Sequence, residues 1–183
     1  LEEQRYTELI SYLAPYANGE SHRAKYWVGT LYNFGLGVKK DEELALEWYL
    51  ASADKGNADA QFSAGLILSV SDRIPKNIEK AAKLFEAAAQ QGHIDAQVSL
   101  GYMLTNENLD IFDEDAGISW LLRAADAGNA DAQYQIGLAY KNGNSLPRDT
   151  KSAILWLERS GAQGNSKAQI TLGSLYSNNA VQE

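Results

Sequence analysis

Two rhythms of apolar and polar positions run through this chain. The short one is helical. Ala132, Ile136 and Tyr140 fall at i, i+4 and i+8, on one face of an α-helix, and Ala153, Trp156 and Leu157 share one face of another. The long one repeats the phrase itself: "GNADAQFSAG" at 56–65 returns as "GHIDAQVSLG" at 92–101, "GNADAQYQIG" at 128–137 and "GNSKAQITLG" at 164–173. Gly56, Gly92, Gly128 and Gly164 are therefore 36 residues apart, and Ala60, Ala96, Ala132 and Ala168 keep the same step. So do Gly29, Gly65, Gly101, Gly137 and Gly173, followed by Tyr32, Leu68, Leu104, Tyr140 and Tyr176. Trp48, Leu84, Trp120 and Trp156 mark the second half of each period.

Each period thus holds two helices. The pattern predicts a helix A at about 22–34, 58–70, 94–106, 130–142 and 166–177, and a helix B at about 41–55, 77–91, 113–127 and 149–163. A further helix is predicted at about 2–17. Asp41, Asn77, Asp113 and Asp149 stand just before helix B, where a short side-chain oxygen caps unpaired N–H groups. Gly56 and its equivalents follow helix B, a place for left-handed backbone. Gly29 and its equivalents are different, because a glycine inside a helix costs ~1 kcal/mol relative to alanine. Its return in five A helices predicts that a neighbouring helix approaches closely there. One helix pair cannot bury its apolar stripe alone, whereas stacked pairs can. The expected fold is all-α, a solenoid of antiparallel helix pairs in 36-residue repeats. One repeat domain is expected over 1–183: an N-terminal helix at 1–19, repeats at 20–56, 57–92, 93–128 and 129–164, and a partial repeat at 165–183. The first segment reads as a helix B without its helix A, and the last as a helix A without its helix B. These helices are expected either to cap the stack or to belong to a longer array.

Composition narrows the function. The 183 residues are 45% hydrophobic and 22% charged, in keeping with a globular chain. The net charge of −8 argues against nucleic acid, whose phosphates need clustered Lys and Arg. No cysteine is present, which removes disulfides, thiolate nucleophiles and cysteine metal sites together. No apolar run is long enough to span a membrane. The chain starts at Leu1 with no signal-peptide pattern, which a mature chain would lack in any case.

Catalytic chemistry finds no constellation. His22 and His93 lie about two periods apart and read as separate, solvent-facing turn residues, not a metal pair. Gly35-Leu36-Gly37 lacks the longer glycine pattern and the preceding strand of a phosphate loop. No serine sits in a nucleophile elbow. The carboxylates recur with the repeat, as caps do. No catalytic, cofactor or metal residue is expected, and no enzyme.

Ala-x-x-x-Leu-Gly-x-x-Tyr, a Gly-x-Gly-Val turn, Asp, Ala-x-x-Trp and Ala-Ala-x-x-Gly together resemble the Sel-one-like repeat (SLR) family, a relative of the tetratricopeptide repeat. The resemblance covers about 20–177. The turn is intact at Gly35-Leu36-Gly37-Val38, but Ser145 replaces its second glycine in the fourth period. Ser71 and Arg73, then Glu107 and Leu109, replace both glycines in the second and third. The resemblance implies an α/α superhelix that scaffolds or binds other proteins, often bacterial, with no catalytic residues of its own. It implies a periplasmic or cytoplasmic place, the periplasm slightly favoured.

In such superhelices helix A lines the concave wall. Register then puts Tyr26, Phe62, Val98, Tyr134 and Ile170 outward, with Thr30, Leu66, Tyr102, Leu138 and Ser174 beside them and Lys141 on the flank. Aromatics on such a wall are typical partner hot spots, although the same rings serve equally well packed against the next repeat. Asp59, Asp95 and Asp131 line up one step before the alanines. They read as an acidic ladder for a basic segment, or as first-turn acids favouring the helix dipole. The segment "NENLDIFDED" at 106–115 offers Leu109 and Phe112 where the turn should be glycine-rich. It reads as a recognition loop with an apolar tip, or as a structural loop in which Leu109 or Ile111 replaces the Val38-type anchor. In "SDRIPKN", Ile74 holds that anchor register. The expected function is a non-catalytic scaffold or adaptor that binds a protein partner, through a basic or apolar segment, on the concave face. Two alternatives stand beside it: an immunity-type neutraliser of a secreted bacterial toxin, and an envelope polysaccharide or peptidoglycan-associated factor.

Overall fold

The computed structural model describes residues 2–180 and contains ten helices, with no strand among the described residues. They are α1 (Glu2–Asn18), α2 (His22–Phe34), α3 (Glu42–Ala53), α4 (Ala58–Val70), α5 (Ile78–Gln90), α6 (Ile94–Leu104), α7 (Glu114–Asp126), α8 (Ala130–Asn142), α9 (Thr150–Ala162) and α10 (Ser166–Ala180). Even-numbered helices from α2 to α10 are the expected A helices, and odd-numbered ones from α3 to α9 the B helices. Residue 1 and residues 181–183 of the expected domain lie outside the described residues.

Side-chain caps start the helices. Asp41, Asn77 and Asp113 accept the N–H three residues on, at 3.0, 2.9 and 3.0 Å, to open α3, α5 and α7. On the A helices Asn57, Asn129 and Asn165 do the same at 2.7, 2.9 and 3.1 Å. After each B helix, Gly56, Gly92, Gly128 and Gly164 take φ between +83° and +96°, and the following N–H returns to a carbonyl of the last turn. Where Ser145 replaces the second turn glycine, it keeps the left-handed backbone with φ +50°.

The helical glycines mark close approach. A Cβ on Gly65 would lie 2.7 Å from Cε1 of Phe85, and one on Gly137 would lie 2.7 Å from Cγ of Leu157. Gly29 and Gly101 meet Tyr49 and Leu121 in the same way. The buried B-helix residue is therefore the one after the tryptophan register: Tyr49, Phe85, Leu121 and Leu157 are at most 2% exposed, while Trp48, Trp120 and Trp156 are half-buried. Gly173 departs from the expectation, with nothing within 4 Å of its Cβ position. Tyr176 departs with it. The register makes it core, yet it is exposed, its hydroxyl donating to Glu158 Oε1 at 2.7 Å.

Buried amides join one pair to the preceding one, and buried hydroxyls tie the two helices within a pair. Gln61 Nε2 donates to the Ala53 carbonyl at 3.3 Å, while its Oε1 accepts from Gln91 at 2.8 Å. Gln133 repeats the arrangement with Ala125 at 3.1 Å and Gln163 at 2.8 Å. Ser52 donates to the His22 carbonyl, and Ser160 to the Ala130 carbonyl, both at 2.6 Å.

The chain forms two compact units, one ending at Ala96 and one beginning at Gln97. In the first, one cluster holds Ala17, Ala24 and Val28, and a larger one holds Ala45, Tyr49, Ala60 and Ile67. Ile74 packs against the larger cluster, as its anchor register requires. The second unit is built on Ile118, Leu121, Ala132 and Ile136, with Leu146 in the same anchor role.

Candidate functional site

In the first unit α2, α4 and the start of α6 surround a groove of about 350 Å³. Five of the predicted partner-binding residues line it: Tyr26, Asp59, Phe62, Leu66 and Asp95. Helical register explains the gathering. Tyr26 and Phe62 hold the same position in successive A helices, Leu66 follows Phe62 by one turn, and Asp59 and Asp95 open their helices.

The floor is Tyr49, buried beneath Gly29. Its hydroxyl donates to Thr30 Oγ1 at 3.2 Å, and Thr30 donates onward to the Tyr26 carbonyl at 3.0 Å. Burial pushes the Tyr49 phenol upward, so it stays a donor. The ring of Tyr26 leans on Tyr49 at 5.7 Å between centroids. The ring of Phe62 leans on Phe85 at 5.8 Å and stacks on the His93 imidazole at 4.6 Å, with planes 30° apart.

His93 corrects a sequence expectation. It is not a solvent-facing turn residue, since its side chain is only 17% exposed. It occupies the N-cap register held elsewhere by Asn57, Asn129 and Asn165, and its Nδ1 accepts the Ala96 N–H at 3.2 Å. That bond leaves the ring proton of the neutral form on Nε2, which lies 3.6 Å from Asp59 Oδ1. His22 is likewise half-buried, its Nδ1 3.3 Å from the side-chain nitrogen of Asn57.

The remaining predicted residues belong to the second unit. Tyr102 is 39% exposed and accepts a long bond from Gln135 Nε2 at 3.4 Å, and partial burial pushes its phenol upward. Tyr134 and Lys141 are half-buried on α8, and Asp131 is exposed, accepting from Asn165 at 3.0 Å. In the 106–115 loop, Leu109 is half-buried beside an equally half-buried Ile111, while Phe112 is 45% exposed. Backbone bonds from Leu109 to Asn106 and from Phe112 to Leu109, both 3.0 Å, wind the loop into tight turns.

The sequence reading missed the repeat glutamine. Gln61, Gln97 and Gln133 are at most 8% exposed. The signal was available in the invariant "AQ" of the phrase, read only for its alanine. It also missed His93 as a groove wall, which its place in the asparagine register announces.

A second cleft of about 540 Å³ lies by the first turn, between Tyr32, Val38 and the charged run from Lys39 to Glu43. Two of its charges are already paired. Lys40 Nζ is 2.9 Å from Glu42 Oε1, and Ser71 donates to Glu42 Oε2 at 2.8 Å. Lys40 first, then Ser71, hold the Glu42 carboxyl below the usual range. Ser71 also accepts from the Arg73 and Ile74 amides, at 3.1 and 3.2 Å, shaping the turn that has lost its glycines. Among the described residues no three His, Asp or Glu side chains gather as a metal site, and no helix is long and apolar enough to cross a membrane.

Comparison with known proteins agrees with this architecture. The Sel1 repeat family model matches four times, at residues 22–57, 58–93, 94–129 and 130–165. A Sel1 repeat protein from Oxalobacter formigenes is 34% identical over 86% of this chain and 65% of its own, with a TM-score of 0.79. The protective antigen c5321 of uropathogenic Escherichia coli, which displays an SLR fold, is 28% identical over 93% of this chain and 36% of its own, with a TM-score of 0.84. This chain thus spans less than two thirds of either relative's length. The immunity protein Pa5087 of Pseudomonas aeruginosa shares the fold at 20% identity, over 89% of this chain and 60% of its own, with a TM-score of 0.53. No match was found among curated proteins. Four contiguous repeat matches, the 36-residue step and an α/α solenoid of helix pairs coincide, and the chain belongs to the Sel1 repeat family.

Proposed function

We propose that this chain is a non-catalytic scaffold that holds another protein on the outward face of its A helices. Sel1 repeats generally mediate protein interactions, and the family is generally a non-catalytic scaffold fold. The observation that carries the reading is the groove over Tyr49. Aromatic rings wall it and carboxylates stand at its rim. Neutralising a toxin is one narrower form of the same role; the likeness to an immunity protein is one of fold alone. Gripping an envelope polymer is the second reading, for which the groove offers Thr30, Asn33 and Ser63 beside its rings.

Photo-crosslinking in the source organism tests this. A benzophenone side chain placed at Leu66 or Tyr134, on A helices, is expected to yield one discrete adduct. The same group at exposed Lys83 or Ser119, on B helices, is expected to yield none. Equal yields from both faces, or no adduct from the A helices, would overturn the assignment.

A further inference from the structure

We infer that the groove of the first unit receives an arginine side chain from a basic segment of the partner. This rests on the scaffold reading above and names the chemistry recognised. Two carboxylates stand at the rim, Asp59 with its side chain 62% exposed and Asp95 exposed. Among the described residues no Lys or Arg lies within ion-pair distance of either. Asp59 has only the His93 ring at 3.6 Å. No Lys or Arg lines the groove, in a chain whose net charge is −8. This sets it apart from the cleft by the first turn, where Lys40 already neutralises Glu42. The rings of Tyr26 and Phe62 line the same groove.

A cation is attracted both to carboxylates and to aromatic faces. A guanidinium fits better than an ammonium, because it is planar, weakly hydrated and able to stack on a ring while donating sideways to oxygen. The chain makes this pairing within itself elsewhere: Arg123 lies 4.5 Å over Trp120, and Arg159 lies 4.7 Å over Trp156. The carboxylates sit on different helices, α4 and α6, at the edge of a groove roomy enough for one long side chain, and either can take both N–H groups of a guanidinium fork.

The test is an NMR titration of the full chain with the amidated peptide acetyl-Gly-Ser-Ala-Arg-Ser-Gly. Peptides carrying lysine, citrulline or glutamate in place of the arginine, and free arginine, serve as comparisons. The arginine peptide is expected to shift the ring signals of Phe62 and His93. Citrulline should bind about tenfold more weakly, lysine less weakly than citrulline, and glutamate not at all. Combined Asp59→Asn and Asp95→Asn should weaken the arginine peptide about tenfold and flatten its dependence on salt, with only a slight fall in melting temperature from the loss of two first-turn acids. Phe62→Leu should weaken it several-fold. Equal binding of citrulline, indifference to the double substitution, shifts mapping outside the groove or no binding at any concentration would each overturn the arginine assignment. A discrete adduct at Leu66 or Tyr134 together with any of these outcomes leaves the scaffold face standing. Absence of adducts removes both.

Discussion

In the first unit the helical glycines receive rings, Tyr49 under Gly29 and Phe85 under Gly65. In the second they receive leucines, Leu121 under Gly101 and Leu157 under Gly137. The notch is the same, and its occupant decides what the neighbouring A-helix face becomes. Rings in the seam give Tyr26 and Phe62 aromatic neighbours, so the face above is a walled groove. With leucine in the seam, Tyr102 and Tyr134 on the second unit's A helices have no seam ring across from them, and the cation–ring contacts lie on the B helices, where Trp120 and Trp156 carry Arg123 and Arg159. One repeat phrase thus serves two surfaces, and the difference is made at a fully buried position. Specificity on the outside starts from a packing choice on the inside.

The comparison can be broken most forcefully at that position. Phe85→Ala is expected to cost about 3–5 kcal/mol and Leu157→Ala about 2–5 kcal/mol, by cavity formation in chemical denaturation. Only the first should move the Phe62 and His93 ring signals. If both move them, the groove does not rest on its own seam. Next come the notches. Gly65→Ala and Gly137→Ala should each cost about 1–3 kcal/mol through overpacking. Gly173→Ala, with no neighbour, should raise stability by up to about 1 kcal/mol through helix propensity. A loss at all three would show that the glycines serve something other than close approach.

The smallest effect separates the B-helix caps. Asp149 accepts from the Lys151 amide at 2.9 Å and from Ser152 Oγ at 2.6 Å, and Ser152 first holds its carboxyl below the usual range. A carboxyl lowered on folding adds stability above its ordinary range and loses it as pH falls through the lowered value. The group is fully exposed, so solvent screens the contribution. Asn77 caps α5 in the first unit and cannot titrate. Melting temperature between about pH 5 and about pH 2.5 should therefore fall slightly more steeply in the native chain than in Asp149→Asn. Parallel curves would dismiss the cap as a source of acid sensitivity.

The architecture was legible because it depends on small residues and short polar caps, whose physical roles are local. Ala60, Gly65, Asn57 and Gly56 can each be read from the helical step and the turn that follows. What stayed hidden needed the second helix. The tryptophan register advertises itself by size, yet Tyr49 and Phe85, one position later, fill the seam, and only the helix crossing decides between adjacent positions. The two histidines looked like turn residues for the same reason. His93 takes the asparagine cap register, but its stacking on Phe62 comes from the preceding A helix. Of the partner-binding residues, register grouped Tyr26, Phe62 and Leu66 correctly as neighbours.

The buried glutamines bear on how such a chain can change its length. Gln61 binds the end of α3 with one side of its amide and Gln91 with the other, and Gln133 does the same one unit on. A recombination joining two copies out of phase would strand these amides in an apolar seam, at about 1–3 kcal/mol for each group left without a partner. Adding or removing a whole 36-residue period keeps each glutamine beside the helix end in its register, although Ala127 stands where Gln91 and Gln163 supply the second bond, so that bond is not common to every period. Where the pair is made, the amides favour whole-period changes of length over out-of-phase ones.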